Sequence, residues 1–430
     1  MKLERGLSAI TLLAALLCRF GTASAQSSPV ASPTATPIPS TCAFQDCALQ
    51  GTPVDCRTAT EPQPSMFGVS GGNYDSISKG ACCTGTLGAA VQDTTGNQYV
   101  LSANHVLARA SSTSKSAHKN ELIVQPGLLD LGCWQDQGDQ VAKLWNWVPL
   151  KFGAGAVNTL DCAIAKVESG GMDPNGYIFN VGTISPVSFP VSDLVDASYV
   201  MKMGRETCLT LGQIDAIDAM GKVTYVKGEN ELSSGTANFD HQILVEGAAG
   251  TGPGATVPSF VQPGDSGAIV LTAPAYTGPA GACPQAIGLI FASNNGGTIA
   301  AVNPIDMVLS ALKVSLVGQC VASSQSAAES RFLAAVEGPS AALRSSREQV
   351  RMVKEHNAAR LLKLDEVVAV GIGAGNDADH AALVVYVDND RSKVGAKIPS
   401  RIDGVQVTVK QAAGGFRAQL ACGNAPFSPP

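Results

Sequence analysis

Several kinds of residue are scarce in this chain, and each scarcity closes off a class of function. Basic charge is not in surplus: 29 Lys and Arg stand against 35 Asp and Glu, a formal net charge of −6. Binding to nucleic acid through its phosphates calls for a basic excess, so nucleic acid is not an expected partner. Histidines number only five and no Cys-x-x-Cys pair occurs. The commonest zinc-ligand spacing is therefore missing, and no metal site is expected. Aromatic residues make up 5% of the chain. Beyond the N-terminal apolar run, no stretch is long enough to cross a membrane as a helix. No internal repeat is found.

What is plentiful is glycine (45), proline (24) and short apolar runs, with 45% hydrophobic residues over 430 positions. Such text favours strands and turns over helices, and its length allows a large core in more than one domain. Lys2 and Arg5 precede an apolar run from Leu7 to Cys18 and then Ala23-Ser24-Ala25. Residues 1–25 therefore read as a secretory signal peptide, and the mature chain is expected to be secreted. Loss of Cys18 with that leader leaves eleven of the 12 cysteines. In an exported chain most should pair as disulfides, with at least one left over. Residues 26–64, rich in Ser, Thr, Pro and Ala, read as an extended Cys-containing linker.

Three later stretches carry chemistry. In Val261-Gln262-Pro263-Gly264-Asp265-Ser266-Gly267-Ala268-Ile269-Val270 one serine stands between two glycines after a tight turn. Glycines let a backbone come close to a bound carbonyl, so the N–H groups of Gly264 and Ser266 can converge on one point. Two such donors beside a hydroxyl suit acyl transfer, in which negative charge grows on the carbonyl oxygen. Upstream, an apolar strand runs into Leu101-Ser102-Ala103-Asn104-His105, placing a histidine at a strand end. Asp161 heads the apolar run Cys162-Ala163-Ile164-Ala165. A carboxylate entering a core needs a hydrogen-bond partner, which a histidine N–H supplies. Cys162 reads as a buried, inert thiol. Asp130, Asp136, Asp139 and Asp173 lie in polar, turn-rich text and read as solvated, and His118 and His241 read as structural.

The order His105, Asp161, Ser266, each in its own apolar-strand context, resembles the chymotrypsin-like (trypsin-like) serine peptidase family of the secreted bacterial type. The resemblance covers roughly residues 80–320. It implies a mainly β fold, a chymotrypsin-like double β-barrel with the site between the barrels, and a peptide or protein substrate. Neither metal nor organic cofactor is needed for that chemistry. It further implies a catalytic triad of His105, Asp161 and Ser266 and an oxyanion hole of Gly264 and Ser266. Met203-Gly204-Arg205-Glu206-Thr207 is similar to a segment whose arginine pairs with the aspartate before the serine, which implies an Arg205–Asp265 pair. The specificity pocket falls on Phe260, Phe291 and Ala292. Phe260 stands where trypsin-type members carry an acid, so an apolar or small residue is expected before the scissile bond. Phe291 stands where a serine commonly supports the triad aspartate. No activation-site motif of the Arg-Ile-Val-Gly-Gly kind precedes the first barrel, and no cysteine flanks His105.

The peptidase part is thus expected over 65–320, ending in a short helix after Pro304, with an Ala/Ser-rich linker at 321–339. Residues 340–430 read as a small α+β domain. It has one amphipathic helix over 340–364 and strands at Val367–Ile372, Ala382–Val387 and Val405–Val409. His356 and His380 there read as solvent-exposed. Two other readings compete with a free-standing peptidase. One is a binding or scaffold protein built on a peptidase fold. The other is a peptidase held inactive, or helped to fold, by its own C-terminal part until that part is cut off.

Overall fold

Runs of Val, Ile, Ala and Thr broken by Gly, Pro and Asn make this a chain of strands. The computed structural model describes residues 63–79, 81–111, 117–133, 139–153, 155–225, 235–249, 256–273, 283–320, 338–389 and 397–424. The expected leader, nearly all of the first linker and most of the second lie outside the described residues.

The first set of strands is β1 (Val69–Asn73), β2 (Ala81–Leu87), β3 (Ala89–Gln92), β4 (Gln98–Ser102), β5 (Leu122–Gln125), β6 (Asp139–Trp147), β7 (Val157–Asn158) and β8 (Ala163–Val167). Hydrogen bonding runs β2–β1–β5–β6–β8–β4–β3, all antiparallel. The two ends of that path are one strand bent at Gly88, so the sheet closes on itself as a barrel. The bend needs glycine, because a Cβ at Gly88 would lie 2.0 Å from the Gly267 carbonyl oxygen. The expected hairpin is present as β3 and β4, with Gln92 opposite Gln98. In its turn the Asp93 carboxylate accepts from the N–H groups of Thr95 (2.9 Å) and Asn97 (3.0 Å).

A second closed ring follows. It comprises β9 (Tyr199–Gly204), β10 (Cys208–Tyr225), β11 (Gly235–Gly247), β12 (Ile269–Thr272), β13 (Ala286–Ser293) and β14 (Ile299–Pro304). These pair in the cycle β9–β10–β11–β14–β13–β12 and back to β9, every pair antiparallel. The chymotrypsin-like double β-barrel expected from the sequence is therefore present. Its helices are few: α1 (Asn104–Leu107) carries His105, and α2 (Ile305–Leu312) is the expected helix after Pro304. A short strand, β15 (Ser315–Leu316), returns to pair with β3.

The remaining residues form α3 (Ala341–Leu361), β16 (Val367–Ala374), β17 (Ala381–Val387), β18 (Arg401–Ile402), β19 (Val405–Gln411), β20 (Phe416–Ala418) and β21 (Ala421–Asn424). This is the small α+β part, but its sheet is not separate: β16 pairs with β10, with Ile372 opposite Ile217 and Val370 opposite Met220. Its core is shared too. Leu343, Val350 and Leu361 of α3 join Ile214, Ile243 and Val245 of the second barrel in one apolar cluster. The last two strands leave it altogether: β20 pairs with β10 and β13, and β21 pairs with β2 of the first barrel.

Disulfides join Cys82–Cys133, Cys83–Cys422 and Cys283–Cys320; Cys208 is also disulfide-bonded. Cys162 is free and buried, as read from the sequence.

Ser340 caps α3 by accepting from the Leu343 N–H at 3.0 Å. Lys354, almost fully buried on the inner face of that helix, reaches Asp218 (3.0 Å) and Asp240 (3.1 Å) at the β10–β11 edge. Removing the ammonium would take the buried donor from two neighbouring carboxylates, leaving Asp218 to His241 and the partly exposed Arg351. Lys354→Met should lower the unfolding free energy by about 2–3 kcal/mol, read as a lower urea midpoint. An unchanged midpoint would show that the pair contributes nothing to holding α3 in place.

Candidate active site

Three local devices position the groups singled out in the sequence. The first is α1, one turn long, which presents His105 where β4 ends. The Asn104 side chain holds that turn: its amide donates to Val148 O (2.6 Å) and its carbonyl accepts from the Ser111 N–H (2.8 Å). The second is the entry to β8, where Asn303 bonds the Asp161 backbone on both sides, at 3.1 Å each. The third is the turn Gly264–Gly267. Both its glycines are left-handed, φ +116° and +92°, and a Cβ at Gly267 would meet Ser102 Oγ at 2.0 Å. The Ser266 carbonyl is tied to the Thr86 N–H at 2.8 Å, which fixes the turn against the first barrel.

His105 and Asp161 meet. His105 Nδ1 lies 2.7 Å from Asp161 Oδ2, and the His105 backbone N–H donates to Oδ1 at 3.2 Å. Both residues are buried. The two acceptor contacts orient the ring so that Nε2 faces away from the carboxylate. A third donor has no motif to mark it in the sequence: the Tyr225 hydroxyl donates to Asp161 Oδ2 at 2.6 Å. Tyr225 stands at the end of β10, its ring edge-on to His105 and to Phe152. It supplies the hydroxyl that the chain lacks at Phe291. Burial pushes the Tyr225 phenol well above its ordinary range, with the Asp161 charge adding to the effect. Burial raises the Cys162 thiol likewise, again helped by Asp161.

Ser266 is not hydrogen-bonded to this pair. Its Oγ donates to the Phe291 carbonyl at 3.1 Å, and His105 Nε2 is buried with no hydrogen-bond partner among the described residues. The two expected oxyanion donors do converge. The N–H groups of Gly264 (2.8 Å) and Ser266 (3.4 Å) both point to one acceptor, the carbonyl oxygen of Gln419.

The expected partner of Asp265 is corrected. Arg205 turns to Asp130 (Nε–Oδ2 2.9 Å) and Glu206, and the cation facing Asp265 is Lys202, at 3.5 Å. Asp265 is fully buried and collects the N–H groups of Glu206 (2.8 Å), Thr207 (3.1 Å) and Gln262 (2.9 Å) and the Thr207 hydroxyl (2.7 Å). With so many donors at hand, a compact ammonium suffices where a guanidinium was expected. Burial lowers the Lys202 ammonium, opposed by the Asp265 charge. Asp130 is not a solvated loop residue either: besides Arg205 it accepts from Ser70 Oγ at 2.5 Å.

Of the pocket residues, Phe260 and Phe291 have side chains with no solvent exposure, Phe260 in the core of the second barrel and Phe291 packed on Phe239 at 4.7 Å between ring centroids. What they offer the cleft is backbone: the Phe291 carbonyl, and at Ala292 a main-chain pairing with Ala418. The other histidines are exposed, although His241 bonds Asp218 and His380 bonds Asp377 at the surface. The cluster Asp218, Asp240 and His241 has the spacing of a metal site, but Lys354 already supplies its positive charge.

No protein-family model and no curated protein matches this chain. Among solved structures it is similar to a glutamic acid specific serine protease, with 19% identity over 58% of this chain and 99% of that one, TM-score 0.34. It is also similar to Protease A of Thermobifida fusca, with 17% identity over 59% and 98%, TM-score 0.35. A third is the Nocardiopsis protease, with 14% identity over 58% and 97%, TM-score 0.36.

Two outcomes follow from the buried acids around Asp161. Tyr225→Phe removes a hydrogen bond to a buried carboxylate and should cost about 1.5–3 kcal/mol of stability, measured by urea unfolding. A value near zero would mean that the hydroxyl does not support Asp161. Cys162 and Tyr225 keep their protons in the folded chain at pH values where the unfolded chain loses them, beginning near pH 8.5–10. The unfolded state then binds fewer protons, so stability should fall as pH rises through that range. In the same range a thiol reagent should modify Cys162 only after denaturation; rapid labelling of the folded protein would contradict this.

Proposed function

We propose that this chain is a serine endopeptidase that hydrolyses peptide bonds through an acyl-enzyme, with His105, Asp161 and Ser266 as its triad. The observation that carries the reading is the Gln419 carbonyl, held by the N–H groups of Gly264 and Ser266 beside the Ser266 side chain. A peptide carbonyl at that point is what acyl transfer requires, and the buried His105–Asp161 hydrogen bond is the base and orienting acid that the same chemistry needs.

In the working conformation the Ser266 hydroxyl turns from the Phe291 carbonyl to His105 Nε2. His105 takes the hydroxyl proton as Oγ attacks the carbonyl carbon, then gives it to the leaving amine. Water repeats the cycle on the ester and releases the acid. Asp161 fixes the tautomer with the proton on Nδ1 and stabilises the imidazolium; Tyr225 holds its carboxylate and Asn303 its backbone. Each oxyanion donor contributes about 3 kcal/mol in comparable sites. Asp265, tied to Lys202 and to the 206–207 backbone, holds the turn that aims those donors. With the buried Phe260 in place of an acid, no charge awaits an Arg or Lys side chain, and an uncharged residue is the one that precedes the scissile bond. Three disulfides in the folded part support a secreted, oxidising location.

Ser266→Ala should abolish both labelling by a fluorophosphonate and hydrolysis of a broad peptide mixture. His105→Ala should lower kcat by a factor on the order of 10⁴–10⁶ while the protein stays folded. Labelling that persists in Ser266→Ala would refute the nucleophile. A folded wild-type chain with no turnover on any peptide would favour a binding protein on the same scaffold.

A further inference from the structure

The carbonyl in the candidate oxyanion hole belongs to the chain itself, and the residues around it run through the cleft as a substrate does. Upstream of Gln419, β20 lies antiparallel to β13, with Ala418 opposite Ala292 and Arg417 opposite Ser293. On its other edge β20 pairs with β10, Phe416 opposite Val223. The Gln419 N–H donates to the Phe291 carbonyl at 3.3 Å, and the Gln419 carbonyl accepts from Gly264 and Ser266. Downstream the chain crosses to the first barrel, where Ala421 and Cys422 pair with Thr84 and Cys83. Cys422 is then bonded covalently to Cys83. Phe416, Ala418, Gln419, Leu420 and Ala421 are all buried. Main-chain pairing on both sides of one carbonyl, with that carbonyl on two convergent donors, is the register an extended peptide adopts by strand addition.

The geometry points to a self-processing site: we propose that Ser266 cuts the bond between Gln419 and Leu420 of its own chain. This rests on the peptidase reading above and names that site's first substrate. Ser266 Oγ forms an ester with the Gln419 carbonyl carbon as the bond to the Leu420 nitrogen breaks. The hydroxyl proton passes through His105 to the Leu420 amine. Water then hydrolyses the ester, restoring Ser266 and leaving a carboxylate on Gln419. Nothing but water is consumed. The eleven residues 420–430 remain attached through Cys83–Cys422 until that disulfide is reduced. While the segment is in place, no other peptide can pair with β13, because Ala292 and Ser293 are already taken.

The test uses the full chain, wild type and Ser266→Ala, with His105→Gln as a second inactive variant. Each is purified oxidised and its intact mass is read before and after reduction. The expected result for wild type is a gain of one water before reduction, then release of a peptide beginning at Leu420. Both variants stay whole. The rate constant of cleavage should not change with protein concentration. A rate that scales with concentration overturns cleavage within the same chain, and cleavage in Ser266→Ala overturns the assignment to Ser266. If wild type hydrolyses an added peptide through Ser266 yet keeps the 419–420 bond whole after prolonged incubation, the self-processing site is wrong and the peptidase reading stands. If it does neither, before and after reduction of Cys83–Cys422, both are wrong.

Discussion

The structure around the cleft depends on one carboxylate. Asp161 is fully buried, and an isolated charge there would be very unfavourable. It is tolerated because both barrels donate to it. His105 and its backbone N–H come from the end of β4 in the first barrel. Tyr225 comes from β10 of the second barrel, and Asn303, at the end of β14, bonds the Asp161 main chain. The requirement to satisfy this one group therefore fixes the histidine's orientation and the seam between the barrels together. A shift of either barrel would leave a buried acceptor short of a donor, at a cost larger than most single contacts.

A second requirement of the same kind explains why the cleft is filled. The N–H groups of Gly264 and Ser266 face out of their turn onto one point, with Gly264 and Gly267 in left-handed backbone. Such donors seek an acceptor, and so does the open edge of β13. Residues 416–424 meet both needs with main-chain atoms alone. An arrangement suited to receiving an extended peptide is, in the absence of one, suited to receiving the chain's own tail.

How much of this was legible in the sequence follows from how local each feature is. The β3–β4 hairpin, the turn at Gly264–Gly267, the helix after Pro304 and α3 each rest on signals within a few residues, and each is found where expected. The order His105, Asp161, Ser266 could be read because each residue sits at a strand end with its own small or apolar neighbours. Partners contributed across the fold could not. Lys202 faces Asp265 from β9, 63 residues away in the text by their numbers, inside an otherwise apolar run, Tyr199-Val200-Met201-Lys202-Met203. That lone lysine is the available signal, whereas the resemblance implies Arg205. Tyr225 closes β10 with no neighbouring motif. Phe416-Arg417-Ala418-Gln419 carries no mark of a cleft-binding strand, since its contacts are made by backbone, which every sequence shares.

The tether gives the tail a behaviour that an ordinary substrate lacks. When a peptide is cut, its amine half normally diffuses away before the acyl-enzyme meets water, and the reaction runs forward. Here Cys422, two residues beyond Leu420, is bonded to Cys83, and its neighbours remain paired with β2. The new amine is thus held close to the ester at high effective concentration, and re-formation of the peptide bond competes with hydrolysis. The upstream half is held as well, by two strand edges and the oxyanion donors. Under the proposed cut, cleavage alone would leave the cleft filled, and the cut end could leave only after reduction of Cys83–Cys422. Nucleophile and tether would thus act in series, the cut freeing the chain at Ser266 only once Cys83–Cys422 is reduced.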